Sequence, residues 1–184
     1  MSVVIETAPL TTAGERAARL NAAGAAWTTR VSAAVADARL TCRVSGAGER
    51  SVASRITAGK HVFLVDEPAG LAGDDSAASP VEIALGGLIA CQVVVYRLYA
   101  HTLGITVDTL SIDAEGDIDV QGLFGIDDSV RPGFSAIRLN VTVAGPETAE
   151  RYEELQLAVD AHCPVLDLFT HATPVTVTLV ANQR

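Results

Sequence analysis

The feature that most constrains the fold is an almost unbroken apolar run over residues 83–99, in which Arg97 is the one charged residue. Ser79, Pro80 and Glu82 precede this run. A serine N-cap, a proline at the first helical position and a glutamate at the third are typical of a helix N-terminus. A helix that is apolar on all sides is expected to be buried on all sides. The pattern therefore predicts a central helix of about 20 residues, roughly 30 Å long.

Two observations argue against a membrane span at this position. The Gly86-Gly87 pair interrupts the run, and its clean apolar length is short. A bilayer-spanning helix needs about 20 consecutive, predominantly apolar residues. We therefore expect no membrane-spanning segment and assign the helix to the core of a globular domain.

Hydrophobic periodicity outside this helix predicts a mixture of helices and strands. Gly, Pro, Asp and Ser mark a turn at 46–48 and loops at 67–79 and 121–132. Helices are also predicted over 13–36, 147–161 and 164–169, and strands over 38–44, 51–56, 61–65, 105–120, 137–143 and 175–179. This order indicates an α+β fold with an antiparallel sheet. We expect an N-terminal helical extension over 1–37 and a domain over 38–184.

Charge and composition limit the classes of partner. The formal net charge is -9, from 22 acidic and 13 basic residues, and no basic run is present. Because phosphate contacts need clustered Lys and Arg, nucleic acid and anionic membranes are not expected partners. The first ten residues have no basic region followed by an apolar stretch, so we expect no signal peptide. The sequence favours a reduced, cytoplasmic protein.

Three cysteines are the candidate reactive residues. Cys91 lies in the middle of the central helix and is either a buried structural thiol or a nucleophile that needs a cation from elsewhere in the fold. Cys163 precedes Pro164, so it is expected at a helix N-terminus, where the helix dipole favours a thiolate and His162 could add charge. Cys42 lies in a predicted strand and is interpreted as structural.

Other site classes find little support in the sequence. The Cys and His spacings match no zinc-ligand pattern, so no metal site is expected. There is no GxSxG sequence for a hydrolase nucleophile and no GxGxxG or P-loop sequence for a nucleotide. A thiol-dependent hydrolase or transferase stays open on the presence of a cysteine nucleophile alone.

Four segments carry a resemblance to a known family. SPVEIALGGLIAC at 79–91 and AHCPV at 161–165 resemble the two cysteine motifs of the OsmC/Ohr family of thiol-dependent peroxidases. HVFLVDEP at 61–68 resembles the strand that leads into that family's Gly-rich loop, and residues 116–139 are similar to a subgroup of OsmC-like proteins. The resemblance covers about residues 40–180. It implies an OsmC-like fold, with antiparallel sheets wrapped around a long central helix, in an intertwined homodimer.

The resemblance also implies a reaction. Cys91 would attack an organic hydroperoxide, and Cys163 would resolve the product as a disulfide. An external dithiol, which is lipoyl-type in several family members, would reduce that disulfide; no bound cofactor is implied. An arginine would hold the thiolate and the peroxide, and Glu82 would orient it. Arg43, Arg50 and Arg55 lie in the early strands, and Arg55 fits this role best. The alternative is a non-catalytic OsmC-like protein that binds a small apolar ligand at the dimer cleft.

The spacing of Glu82 and Cys91 restricts how they can cooperate. Nine residues of straight helix place the two side chains on opposite faces, roughly 13 Å apart along the axis. Direct contact is therefore not expected. Either the helix bends at Gly86-Gly87, or Glu82 acts through a long arginine, or it serves the partner chain's site.

Overall fold

The computed structural model describes residues 11–181, which form two units. Of the described residues, the first unit comprises 11–45 and 57–61 and contains α1, Ala13–Ala33. A capping box between Thr12 and Glu15 starts this helix, which has no buried residue. The predicted N-terminal helix is confirmed over these residues. Residues 1–10, for which the sequence predicts no signal peptide, lie outside the described part of the chain, and the 1–37 boundary stays a prediction.

The second unit comprises residues 46–56 and 62–181 of the described chain and holds the predicted central helix. Its helices are α2 (Pro80–Leu103), α3 (Val120–Phe124), α4 (Ala149–His162) and α5 (Pro164–Thr170). The chain's strands are β1 (Val44–Glu49), β2 (Ala53–Ala58), β3 (His61–Val65), β4 (Thr109–Asp117) and β5 (Ala136–Ala144). The mixture of helices and antiparallel strands agrees with the predicted α+β class.

The long helix α2 begins and ends as its sequence predicts. The Ser79 hydroxyl accepts a hydrogen bond from the Glu82 amide at 3.4 Å, and the Glu82 carboxylate accepts one from the Ser79 amide at 2.7 Å. At the other end, Gly104 adopts a left-handed conformation with φ of 65°, which costs glycine no steric strain. Reciprocal capping therefore fixes the position of α2 along the sequence.

Only one face of α2 is buried within the chain. Leu88, Val95 and Tyr96 are at most 5% exposed, whereas Val94 and Leu98 on the other side are 64% and 41% exposed. The expectation that this helix is buried on all sides is wrong for the single chain. An apolar face remains open to solvent, and something other than the described residues must cover it if it is to be buried.

The described residues include one helix, α2, that is long and apolar enough to cross a bilayer. The sequence-based expectation that no segment meets this standard is therefore corrected. The core helix of a soluble protein meets the same standard. Because Leu88, Val95 and Tyr96 pack into the chain's own core, we interpret α2 as such a helix.

The strands form two separate sheets. The first has the order β1-β2-β3. The second pairs β4 antiparallel with β5, from Thr109 opposite Ala144 to Asp117 opposite Ala136. β3 and β5 lie where the sequence predicts, and the region 105–120 holds a single strand.

Two sequence-based boundaries are wrong. The strand predicted at 38–44 is a short 3-10 turn, Val35–Ala38, followed by residues without regular structure. The turn predicted at 46–48 lies inside β1, because pairing with β2 overrides the weak local preference of glycine for turns. The Asp119 carboxylate caps a short helix, α3, at the start of the predicted 121–132 loop.

The core of the second unit lies where α2 packs against α4 and the β4-β5 sheet. Leu155 and Val159 on α4 are fully buried there, together with Val95 and Tyr96 on α2. The helical spacing of Leu155 and Val159 predicted this apolar face of α4. The core therefore holds α2 along one side. It fixes the positions of Cys91 on α2 and of Cys163 at the junction of α4 and α5.

The predicted strand at 175–179 is not formed. Residues 172–181 have no regular structure, and Val175, Val177 and Leu179 are more than 80% exposed. A strand needs a neighbouring strand to pair its backbone groups, and no described strand pairs with this segment. The alternating apolar pattern is present without the pairing that it would need.

Candidate active site

The fold brings Cys91 and Cys163 together. Cys91 lies in the middle of α2, and Cys163 is the residue that joins α4 to α5. Cys163 lies close enough to Cys91 to raise the pKa of the Cys91 thiol, although 72 residues separate the two in the sequence. Both cysteines are free thiols. The sequence-predicted pair is therefore adjacent in space, which sequence spacing alone does not establish.

The two thiols differ in accessibility. Cys91 is partly buried, whereas Cys163 is 2% exposed and belongs to the hydrophobic core. A small molecule from solvent can therefore reach Cys91 more easily than Cys163. The interpretation of Cys91 as an entirely buried core thiol is not supported.

The surroundings of Cys91 disfavour its thiolate. Burial is the largest cause that raises the pKa of Cys91, and the hydrogen bond and charge repulsion with Cys163 raise it further. The nearby backbone amide of Val165 lowers the pKa of Cys91 and partly offsets these effects. No cation among the described residues contributes to lowering this pKa. The activating cation that sequence analysis requires is therefore not supplied by the described residues of the single chain.

The Val165 amide is a contact that sequence analysis did not identify. Pro164 occupies the first position of α5, as predicted, and Cys163 is its N-cap. Sequence analysis expects the start of α5 to favour the thiolate of Cys163, but the first-turn amide of Val165 lowers the pKa of Cys91. The Cys-Pro pair predicts the helix start; the identity of the thiol that faces it depends on how α5 packs against α2.

Glu82 is engaged in capping α2. Its carboxylate accepts hydrogen bonds from the Ser79 amide and hydroxyl, each at 2.7 Å, and these bonds lower the pKa of Glu82. No ion pair joins Glu82 to an arginine within residues 11–181. Glu82 and Cys91 are therefore held on one rigid helix, and only the capping role of Glu82 is visible.

Arg55 lies on β2 and is paired within its own hairpin. Its Nη2 donates to Oε2 of Glu49 on β1 at 2.9 Å, and this interaction lowers the pKa of Glu49. The Arg55 side chain is 54% exposed. In the single chain, Arg55 is directed to Glu49, and it is not among the groups that shift the pKa of Cys91.

Asp66 anchors the loop that leads into α2. It is 2% exposed, and its Oδ2 accepts hydrogen bonds from the Ser76 hydroxyl at 2.7 Å and the Ser76 and Asp74 amides at 3.1 and 3.2 Å. The side-chain bond from Ser76, followed by the backbone bonds from Glu67 and Ser76, lowers the pKa of Asp66 to about 2. The HVFLVDEP segment therefore ends in a carboxylate that closes the loop before the helix of Cys91.

The remaining cysteine and the neighbouring histidine have other surroundings. Cys42 is exposed and precedes β1, so its interpretation as a structural strand thiol is wrong. His162 stacks on Tyr99 with ring centroids 4.7 Å apart, and its Nδ1 lies 2.8 Å from the Ala158 carbonyl oxygen. Within residues 11–181, no group of three or more His, Cys, Asp or Glu side chains could hold a metal ion.

Comparison with known proteins identifies the family. The sequence model of the family described as "OsmC-like protein" matches residues 73–178, which include α2, α5 and both cysteines. The chain belongs to the OsmC-like protein family. No curated protein matches the sequence.

Solved OsmC-like structures share the fold of the chain. The OsmC-like protein from Mycoplasma pneumoniae has a TM-score of 0.62 at 17% identity, covering 71% of this chain and 88% of its own. An organic hydroperoxide resistance protein OsmC from Legionella pneumophila has a TM-score of 0.56 at 20% identity, covering 71% and 89%. The organic hydroperoxide resistance protein OhrB of Bacillus subtilis has a TM-score of 0.52 at 23% identity, covering 70% and 90%. These similarities establish an OsmC-like fold.

Proposed function

We propose that this OsmC-like protein is a thiol-dependent peroxidase that reduces organic hydroperoxides through Cys91 and Cys163. The observation that supports this proposal is the closeness of a partly accessible thiol, Cys91, to a buried one, Cys163, which raises the pKa of Cys91. Two family members of similar fold are named organic hydroperoxide resistance proteins, and this agrees with the proposal.

The proposed cycle has three balanced steps. The Cys91 thiolate attacks the terminal peroxide oxygen, the O–O bond breaks, and the alkoxide leaves with a proton as alcohol while Cys91 becomes a sulfenic acid. The Cys163 thiol then attacks the Cys91 sulfur, forms a disulfide and releases water. An external dithiol of the lipoyl type restores both thiols by exchange and becomes a disulfide itself.

The accessibility of the two thiols supports this division of roles. The peroxide must reach the first thiol, and Cys91 is the more exposed of the two. The resolving thiol needs only to reach the sulfenic acid, which Cys163 can do from the core. Burial of Cys163 also protects it from peroxide, so the order of oxidation follows from the packing of α2 and α5.

Activation of Cys91 requires a cation because its burial opposes ionisation. We propose Arg55 for this role, oriented by Glu82, in the assembled protein. Arg55 would have to exchange its partner Glu49 for the thiolate and the peroxide. Both residues lie on regular secondary structure: Arg55 on β2, and Glu82 in the first turn of α2.

We propose a homodimer as the assembled form. The apolar surfaces that the described residues leave open to solvent include the face of α2 that carries Val94 and the alternating segment 175–179. A second copy of the chain would cover the exposed face of α2. It would also offer a sheet edge with which segment 175–179 can pair. Such an assembly would also let one chain supply charged side chains to the thiol pair of the other.

The cytoplasm is the proposed location. The three thiols are free, and a thiol that must be regenerated by an external dithiol requires a reducing compartment. The strongly acidic composition, without a basic run, does not favour binding to nucleic acid or to anionic membranes.

The test measures tert-butyl hydroperoxide consumption with dihydrolipoamide as the reductant. The Cys91→Ser variant is expected to fall to the uncatalysed background, and the Cys163→Ser variant to lose turnover while Cys91 accumulates as sulfenic or sulfinic acid. Cys42→Ser is the matched control and keeps full activity, because Cys42 is exposed and lies away from the pair in the sequence. Full turnover by Cys91→Ser would overturn the proposal.

The raised pKa of Cys91 favours one alternative, a non-catalytic OsmC-like protein that binds a small apolar ligand at the dimer cleft. That protein would have inert thiols and an apolar ligand near them. Wild-type protein that leaves the hydroperoxide unchanged, with the thiols reduced after exposure, would support this alternative.

A further inference from the structure

A second candidate site lies within one chain, against the side of α2 that faces β5. It is a cavity of about 650 Å³ between α2, β5, α4 and α5. This volume is in the range of small-molecule sites. Neither Cys91 nor Cys163 is among its lining residues, so the cavity is separate from the proposed redox pair.

Three side chains of α2 form the floor of this cavity. Leu88, Gln92 and Tyr96 follow one another at intervals of four residues and are 1%, 1% and 2% exposed. Residues four apart share a helix face. The floor therefore presents one apolar group and two polar groups to the same space.

Gln92 carries an unsatisfied hydrogen-bond donor. Its Nε2 is buried and has no hydrogen-bond partner among residues 11–181. Buried polar groups are almost always hydrogen-bonded, because an unpaired one loses its hydration without compensation. A buried amide donor without a partner, on a residue that lines a cavity, points to an acceptor that enters the cavity.

The second polar group of the floor is also a donor. Burial, with a smaller effect from Asp160, raises the pKa of Tyr96 to about 12. Its phenol therefore stays protonated over the physiological pH range. Because neither floor group carries a positive charge, the floor suits a neutral acceptor oxygen better than a carboxylate, which would lose its hydration without an ionic partner.

The walls are apolar and well supported. Leu139 and Val141 of β5, Leu166 of α5 and Phe134 contribute hydrocarbon surface. The Phe134 ring is so close to Gly116 that a Cβ there would lie 2.5 Å from it. This contact sets Phe134 in the wall. The polar rim, which includes exposed Arg131 and Asp160, has both charges and selects no net charge in the ligand.

We propose that this cavity binds a small, neutral, mostly apolar molecule whose carbonyl oxygen accepts a hydrogen bond from the Gln92 side-chain amide. A ketone, ester or amide with an alkyl or aromatic body has this chemistry. The proposal concerns a site apart from the thiols and is independent of the peroxidase activity.

The test uses two fluorescent probes on the full-length protein. The first is 6-propionyl-2-dimethylaminonaphthalene, which has one carbonyl acceptor, and the second is 2-dimethylaminonaphthalene, which has none. Wild-type protein is expected to bind the ketone saturably with a blue-shifted emission. The Gln92→Leu variant is expected to bind it about fivefold more weakly, as loss of one hydrogen bond predicts, with unchanged binding of the second probe.

A direct measurement on the wild-type protein supports or contradicts the proposal even if Gln92→Leu folds poorly. In an amide NMR spectrum, the Gln92 Nε2 signals are expected to shift with the ketone and not with the second probe. Unmoved Gln92 signals at saturating ketone, or no saturable binding, would overturn the proposal. Thiol activity serves as an independent control, because Gln92→Leu is expected to leave hydroperoxide consumption unchanged.

Discussion

Cys91 is a residue whose chemistry depends on packing more than on its immediate sequence. Its neighbours along α2 are apolar, and burial keeps it protonated, while Val165 and Cys163 approach it from α5. The sequence predicts both cysteine positions and the start of α5. It does not predict that the Val165 amide faces Cys91, because that contact depends on the angle at which two distant helices meet.

The raised pKa of Cys91 leads to a prediction for its alkylation. Only the thiolate reacts with iodoacetamide, so the rate at Cys91 should be low at pH 7 and should still rise as the pH passes 9. Peptide mass spectrometry after timed alkylation measures this rate, with exposed Cys42 as the internal reference. A Cys91 rate that reaches its plateau below pH 8 would contradict the single-chain environment and would indicate an activating cation in the assembled protein.

At the scale of elements, sequence patterns predict the helices and strands that depend mainly on interactions between neighbouring residues. The capping box and the apolar run place α2, and alternation places β5. The strand predicted at 175–179 does not form. The alternation of apolar and polar residues indicates which side chains would share a face, but it does not provide a neighbouring strand for pairing. The same limit explains the wrong prediction over residues 38–48. The glycines of β1 suggest a turn there, but pairing with β2 makes the segment from Val44 a strand.

The loop between β3 and α2 is expected to depend on pH through Asp66. The pKa of Asp66 is lowered to about 2, so its contribution to stability is fully present above pH 4 and is lost as the pH falls through about 2. Asp66→Asn should therefore have a lower urea midpoint than wild type at pH 7, and the difference should shrink toward pH 2.

Asp113→Asn is the matched control for this measurement, since Asp113 is an exposed carboxylate on β4. It should leave the urea midpoint close to that of wild type at both pH values. A constant difference between wild type and Asp66→Asn from pH 7 to pH 2 would show that the ionised carboxylate is not what closes the loop.

At the scale of the whole molecule, the open face of α2 points to association. The sequence predicts an all-apolar helix, and the single chain buries one side of it. If a second copy covers the other side, Val94→Glu places a charge in that interface and should convert a dimer into a monomer of 19.1 kDa.

Light scattering coupled to size-exclusion chromatography measures this change in mass. Leu157→Glu, at a 72% exposed position on α4, is the matched control and should remain a dimer. A wild-type protein that elutes as a monomer at all concentrations would contradict the proposed assembly.

The central claim is that Cys91 and Cys163 form one redox pair, and peptide mapping after oxidation tests it most directly. The protein is treated with one equivalent of tert-butyl hydroperoxide, the remaining thiols are blocked, and the digested peptides are analysed by mass spectrometry without reduction. The account predicts a disulfide between the peptides of Cys91 and Cys163, with Cys42 alkylated. Recovery of Cys91 and Cys163 as separate peptides, with both thiols alkylated or with Cys91 overoxidised beside a reduced Cys163, would contradict it.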